Sequence, residues 1–171
     1  MFRFAPIAVA LTSLAAFAGP TVTQVKDLHF LAKGLAGLKI VGQTTKLEAR
    51  ADGESLVLVV PLDSVDTGIA LRNEHMTQKY LDTKTHPNAE LKVPLAALKE
   101  GKNQAVKGTF TLRDKSKEVD VLTSVIKNGD ALDVSGVFDI NLKNHDIDIP
   151  NYLGVTVKPD VQVSAAFTLK P

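Results

Sequence analysis

The stretch LDVSGVFDINL, residues 132–142, is the clearest guide to the fold. Its even-numbered positions carry small or apolar residues, and its odd-numbered positions are polar except at Val137. This alternation is typical of an antiparallel strand that buries one face and exposes the other. Residues 155–169 repeat the pattern, and Asn128-Gly129 favours a tight turn before the first stretch. The second half of the chain is therefore predicted to consist of antiparallel strands.

Shorter segments of the same kind account for most of the remaining chain. They are residues 26–33, 40–51, 55–62, 90–95, 109–113 and 117–126. Together with the two long stretches they predict an all-β protein of about eight antiparallel strands joined mostly by short polar turns. A meander of this size either stacks as a sandwich or closes into a barrel. We favour the barrel, because closure removes the exposed edges of the sheet.

Residues 69–82 interrupt this pattern and predict a helix. The run from 69 to 82 contains no proline and no glycine, and Asp66 and Thr67 offer capping oxygens before it. Met76 and Tyr80 stand four residues apart, which places them on one helix face. A helix inserted between two strands of a meander would lie across one rim of the barrel. Because it is the most unusual local feature, we expect function there.

Residues 1–18 resemble a secretory signal peptide. Arg3 gives a positive start, an apolar stretch follows, and Ala16-Phe17-Ala18 has the small residues that precede a cleavage site. The apolar stretch is too short, and too interrupted, to span a bilayer as a stable helix. We expect a mature domain at 19–171 without stable membrane insertion, located in a bacterial periplasm or secreted. A buried N-terminal helix is the alternative.

The composition excludes several classes of function. The chain has 171 residues, with 20 Lys and Arg against 19 Asp and Glu, so it lacks the basic surface typical of nucleic-acid binding. It contains no cysteine, which excludes disulfides, thiolate nucleophiles and iron–sulfur clusters. It also contains no tryptophan, and aromatic residues make up only 5%. We therefore expect no nucleic-acid partner.

The four histidines do not have the spacing of a metal site. His29, His75, His86 and His145 form neither a His-x-His nor a His-Glu-x-x-His pattern. The serines lack the context of a nucleophile elbow. We therefore predict no catalytic set, no metal and no cofactor, and hence no enzyme. A small metal-dependent or hydrolytic protein remains an alternative, provided that His75 and His86 meet nearby acidic residues at the helix.

A series of motifs that begins at the predicted helix and continues through the later strands resembles the YceI family of exported lipid-binding proteins. The series comprises Asp66-Thr67, Arg72-Asn73-x-His75-Met76, Tyr80-Leu81-Asp82, His86-Pro87, Gly108-Thr109-Phe110-Thr111-Leu112 and Asp146-Ile147-Asp148. With further matches near the C-terminus, the resemblance covers roughly residues 22–170. Two departures lie in the helix, where Asn73 replaces a frequent aspartate and Met76 replaces the usual leucine.

The resemblance implies a lipocalin-like antiparallel barrel whose apolar lumen holds a long polyisoprenoid or quinone-like lipid, for carriage or storage. An eight-stranded barrel is either just filled by its side chains or able to hold one slim ligand. A filled-core structural or stress-protective module is therefore a further alternative. The sequence leaves open which lipid is bound and whether the protein forms a homodimer.

On this interpretation the lumen is lined by apolar residues of the strands, and the rim by residues of the helix. The expected lumen residues are Phe30, Leu91, Val93, Phe110, Leu112, Val119, Val121, Val134, Phe138, Ile140, Val161, Val163 and Phe167. The expected rim residues are Arg72, His75, Met76 and Tyr80. Arg72 and His75 would contact a polar head group there. Alternatively, Arg72 would pair with Glu74, Asp66 or Asp82 as a structural anchor.

Overall fold

A computed structural model describes residues 19–152 and 154–171 of the chain. The predicted signal peptide at residues 1–18 lies outside these described residues. Within the described part, none of the helices is both long enough and apolar enough to cross a membrane.

The described residues form ten β-strands, one short helical insert and four 3₁₀ turns, at Leu35–Gly37, Leu62–Ser64, Leu95–Ala97 and Leu142–His145. The strands are β1 (Thr21–Gly34), β2 (Lys39–Gln43), β3 (Glu48–Asp52), β4 (Ser55–Pro61), β5 (Asn88–Pro94), β6 (Gly101–Leu112), β7 (Lys115–Asn128), β8 (Ala131–Asn141), β9 (Asn151–Tyr152) and β10 (Val155–Lys170). Their order in the sheet is β2-β1-β10-β8-β7-β6-β5-β4-β3, and β9 pairs with β10 outside this path. The pairs are antiparallel throughout.

The sheet curls around a hydrophobic interior, which confirms the predicted all-β, antiparallel, lipocalin-like barrel with a helical insert. Within the described residues, no ladder joins the two end strands β2 and β3. Instead, Gln43 at the end of β2 forms an isolated bridge with Asp66, in which each backbone N–H donates to the partner's carbonyl at 2.9 Å. This bridge ties one edge of the curled sheet to the segment that leads into the helix.

The prediction of one strand over residues 40–51 is wrong, and it accounts for one of the two strands by which the ten observed exceed the eight predicted; the other is β9. β2 ends at Gln43 and β3 begins at Glu48, and these strands lie at opposite ends of the sheet. The hydroxyl oxygen of Thr44 accepts a hydrogen bond from the backbone N–H of Lys46 at 3.1 Å, as in a local side-chain turn. The chain bends there although the sequence contains neither glycine nor proline between 43 and 51.

Two hairpins join the long central strands tightly. Between β6 and β7 only Arg113 and Asp114 are unpaired, and both have positive φ, 48° and 58°, as a type I′ turn requires. The sequence placed this turn slightly later, at residues 114–116. Between β7 and β8 the loop is Gly129 and Asp130, as the Asn-Gly signal predicts, with Gly129 at φ 61°.

The helical insert connects β4 to β5 and covers almost the predicted range. An α-helical turn, α1 (Ala70–Glu74), continues into a wider π-helical turn, His75–Tyr80. The predicted capping role of Asp66 and Thr67 is wrong in its detail, since the N-cap position is Ile69 and carries no side-chain cap. These two residues hold the helix by another route, described below.

Candidate functional site

A cavity of about 220 Å³ lies inside the curled sheet at the end covered by the helical insert. Its walls come from β1, β2, β4, β5, β6, β8, β9 and β10, and the helix and the residues after it close one side. An apolar cavity of about 150 Å³ already accommodates a benzene ring and stays dry. This cavity therefore has room for a stretch of hydrocarbon chain.

The predicted lumen residues divide between this larger cavity and a second, smaller one. Six line the larger cavity: Phe30, Phe110, Leu112, Ile140, Val161 and Val163. Six others line a cavity of about 50 Å³: Leu91, Val93, Val121, Val134, Phe138 and Phe167. Val119 is buried in the core but borders neither of these two cavities.

The four predicted rim residues come together at the larger cavity. Arg72, His75, Met76 and Tyr80 all border it. Met76 and Tyr80 supply apolar surface, whereas His75 is exposed and stands at the opening. The helix therefore brings both a cationic and an apolar side to the same space.

Arg72 is anchored by Thr67, a residue that did not figure among its predicted partners. Its Nε donates to Oγ1 of Thr67 at 2.9 Å, and a terminal nitrogen donates to the Thr67 carbonyl at 2.5 Å. Thr67 is itself buried, with 8% of its surface exposed. The guanidinium group is thus held in a fixed place beside the cavity.

The helix is clamped to the preceding loop by the side chain of Asn73. Its Oδ1 accepts hydrogen bonds from the backbone N–H of Thr67 at 2.8 Å and from the Thr67 hydroxyl at 2.6 Å. Its Nδ2 donates to Oδ1 of Asp66 at 2.7 Å. This bond and one from the Gly68 N–H lower the pKa of Asp66. Since Asp66 also bridges to Gln43, the clamp connects the helix to the edge of the sheet.

Sequence reasoning missed much of the cavity wall. The further lining residues that matter most are Leu28, Ala32, Ile40, Gly42, Val60, Leu62 and Ala89. Leu28 and Ala32 lie two positions before and two positions after Phe30 on β1, so all three share one face of the strand. The period-two pattern would therefore have found them. Gly42 lies directly opposite Phe30 in the β1–β2 ladder, and a Cβ added there would lie 2.2 Å from a ring carbon of Phe30. The lack of a side chain at Gly42 makes room for that ring.

Polar groups are few along the cavity wall. They include His29, Thr44 and Asn151 in addition to Thr67, Arg72 and His75. His29 Nδ1 lies 2.9 Å from a carboxylate oxygen of Asp27, and the Thr44 hydroxyl shares a 2.8 Å hydrogen bond with Ser64. Such an arrangement suits a mainly apolar ligand that carries one polar end.

The remaining two histidines do not border the larger cavity. Nδ1 of His86 lies 2.8 Å from Oδ2 of Asp114, without the alignment of a hydrogen bond. His145 is buried, and its Nδ1 donates to the carbonyl of Lys115 at 2.9 Å. Among the described residues, no group of three or more His, Asp and Glu side chains is arranged to hold a metal ion.

His145 supports the cavity wall from behind. Its ring packs edge-on against Phe110, with the ring centroids 5.7 Å apart. Burial lowers the pKa of His145, although hydrogen bonds to the carbonyls of Lys115 and Leu112 act in the opposite direction. The neutral ring is therefore the form that the fold favours.

Comparison with solved structures shows the same fold in several bacterial proteins. A polyisoprenoid binding domain from Saccharophagus degradans, implicated in plant cell wall breakdown, superposes with a TM-score of 0.71 at 16% identity, over 89% of this chain and 98% of its own. BcnA of Burkholderia cenocepacia gives 0.64 at 20% identity, over 82% and 95% of the two chains. The YCEI protein of Campylobacter jejuni gives 0.53 at 18% identity, over 74% and 82%.

Sequence comparison identifies the family. No protein of curated function matches this chain. The family model described as a YceI-like domain matches residues 19–169, which is nearly the whole described part. The chain therefore belongs to the YceI-like domain family.

Proposed function

We propose that this protein binds a long apolar lipid, of polyisoprenoid or quinone-like type, and carries or stores it without chemical change. The observation that carries the proposal is the apolar cavity under the helix, whose wall is formed by residues such as Phe110, Ile140 and Val161. The structurally similar domain of Saccharophagus degradans, described as polyisoprenoid binding, supports the choice of ligand class.

Burial of hydrocarbon supplies enough free energy for such binding. Each CH₂ group transferred from water to an apolar site contributes about 0.8 kcal/mol. About ten such groups would contribute about 8 kcal/mol before the cost of ordering the chain. A dry cavity can therefore retain an isoprenoid chain without a strong polar clamp.

The polar end of the ligand belongs at the helix in this proposal. His75 is exposed at the opening, and Arg72 is held beside it by Thr67. A hydroxyl, carbonyl or anionic head group would accept hydrogen bonds from these side chains, while the chain extends inward. The two residues then orient the lipid, and the apolar wall supplies most of the affinity.

The proposed location is the periplasm or the exterior of a bacterium. It rests on the signal-peptide pattern of residues 1–18 and on the family membership. A carrier in that compartment would shield an apolar chain from water between membranes or store it.

Mass spectrometry of organic extracts from the purified protein tests the proposal. We expect an isoprenoid-type lipid to co-purify with the wild-type protein and to be reduced in Ala89→Phe, which fills the cavity from β5. The control is Ala105→Phe, the same substitution at an exposed position of β6. Repeated absence of lipid from the wild-type protein, together with failure to bind added geranylgeraniol, would show that the proposal is wrong.

A further inference from the structure

The two cavities are stacked end to end along the strands. On four strands the boundary between them falls between successive inward positions: Val60 and Leu58 on β4, Ala89 and Leu91 on β5, Ile140 and Phe138 on β8, and Val163 and Ala165 on β10. In each pair the first residue lines the larger cavity and the second lines the smaller one. The smaller cavity therefore extends the axis of the larger one, away from the helix.

Two phenylalanine rings meet at this boundary. Phe110 lines the larger cavity, Phe138 lines the smaller one, and their ring centroids are 5.2 Å apart at an interplanar angle of 57°. Each residue is buried, with 7% of its surface exposed. A chain that entered at the helix would meet this ring pair before it reached the smaller cavity.

The two rings are supported differently. Phe110 packs edge-on against His145, which is fixed by its hydrogen bond to the Lys115 carbonyl. On the side of the smaller cavity, the neighbour of Phe138 two positions along the same face of β8 is Gly136, which has no side chain to support the ring. Phe138 is therefore the member of the pair whose removal would join the two cavities.

We propose that the Phe110–Phe138 pair determines specificity for chain length, because it stops a bound chain at the inner end of the larger cavity. This inference rests on the proposed function, namely lipid binding in that cavity. Each additional buried CH₂ group contributes about a fourfold gain in affinity. The pair would prevent longer chains from gaining this increment, and so favours ligands whose buried part fits the larger cavity.

The test compares wild-type protein with Phe138→Ala and with the control Phe167→Ala. Phe167 also lines the smaller cavity and is buried, but it is not part of the boundary pair. Affinities for farnesol, geranylgeraniol and solanesol would be measured by displacement of a fluorescent apolar probe. In Phe138→Ala the preference for solanesol over farnesol should rise at least about tenfold, and in Phe167→Ala it should remain as in the wild type.

The outcomes separate this inference from the proposed function. If the wild type binds none of the three prenols, the proposed function is wrong. If it binds them but the preference is unchanged in Phe138→Ala, or changes equally in Phe167→Ala, the role of the ring pair is wrong. Phe138→Val, which removes the ring but keeps a side chain favoured in strands, replaces the alanine variant if that one does not fold, and the same rise in preference is expected.

A structural measurement tests the boundary without any lipid. In a crystal structure of ligand-free Phe138→Ala, the two cavities should form one continuous space. Two cavities that remained separate would contradict the inference, whatever the binding results.

Discussion

Replacing Gly42 by alanine should weaken lipid binding more than it weakens the fold. Gly42 faces Phe30 across the β1–β2 ladder, and an added Cβ would lie 2.2, 2.6 and 3.0 Å from three carbons of the Phe30 ring. Ordinary van der Waals contact begins near 3.4 Å, so the ring has to move by more than 1 Å. Both residues line the larger cavity, which is the open space next to the ring. The ring should therefore shift into the site.

The size of the effect follows from the space that the ring takes. Overpacking of a filled core costs about 1–3 kcal/mol, and we expect the lower end because the cavity receives the ring. If the ring displaces two carbons of the bound chain, the lipid loses about 1.6 kcal/mol, which corresponds to about 15-fold weaker binding. Binding should thus change clearly while the protein remains folded.

The assay combines prenol affinity, by probe displacement, with urea unfolding of the same variants. Gly136→Ala is the matched control, since its added Cβ would lie 3.3 Å from a methyl carbon of Val121 and Gly136 lines only the smaller cavity. The double variant Gly42→Ala/Phe30→Leu should recover most of the affinity, because the shorter side chain leaves room for the new methyl group. Wild-type affinity in a folded Gly42→Ala protein would refute this reasoning.

Two further predictions concern the groups that support the site. The lowered pKa of His145 means that the folded state binds fewer protons than the unfolded state in the range just below about pH 6.5. The free energy of unfolding should therefore fall as the pH falls through this range, and His145→Asn should reduce that slope in urea titrations at about pH 7 and about pH 5. If the unfolding free energy depends on pH equally in His145→Asn and the wild type, His145 is not the group responsible. Asn73→Ala removes three hydrogen bonds to Asp66 and Thr67, so the free energy of local unfolding of the helical insert should fall by about 2–3 kcal/mol. The amide hydrogens of the insert should then exchange faster than they do in the wild type. If exchange across residues 70–80 matches the wild type, the clamp is not what holds the helix.

The sequence predicted the fold class because each long strand carries its own signal. Period-two alternation identifies β8 and β10 without any knowledge of their neighbours. The break between β2 and β3 has no such signal, because polar residues at 44–46 continue an already mixed pattern. A hydroxyl that accepts from a nearby backbone N–H makes the turn, and this bond depends on the backbone conformation that it stabilises.

The sequence predicts which face of a strand a residue lies on, but not how far along the barrel axis it lies. The period-two alternation predicts that Ile140 and Phe138 point inward, but it does not predict which of them borders which cavity. That depends on the register between strands, in which Ile140 pairs with Val161 and Phe138 with Val163. The position of the helix residues could be predicted without the strand register, since a short insert between the adjacent strands β4 and β5 lies at the end of the sheet where these strands meet.

The departure at position 73 has a local chemical explanation. Asn73 accepts two hydrogen bonds from Thr67 through its oxygen and donates one to Asp66 through its nitrogen. An aspartate in the same orientation would place a second carboxylate oxygen at the 2.7 Å distance now spanned by the amide and Asp66. Two carboxylates so close cannot both ionise, so one would have to retain a proton. The asparagine makes the same contacts without a proton, and it keeps Asp66 charged while the helix remains attached over the cavity.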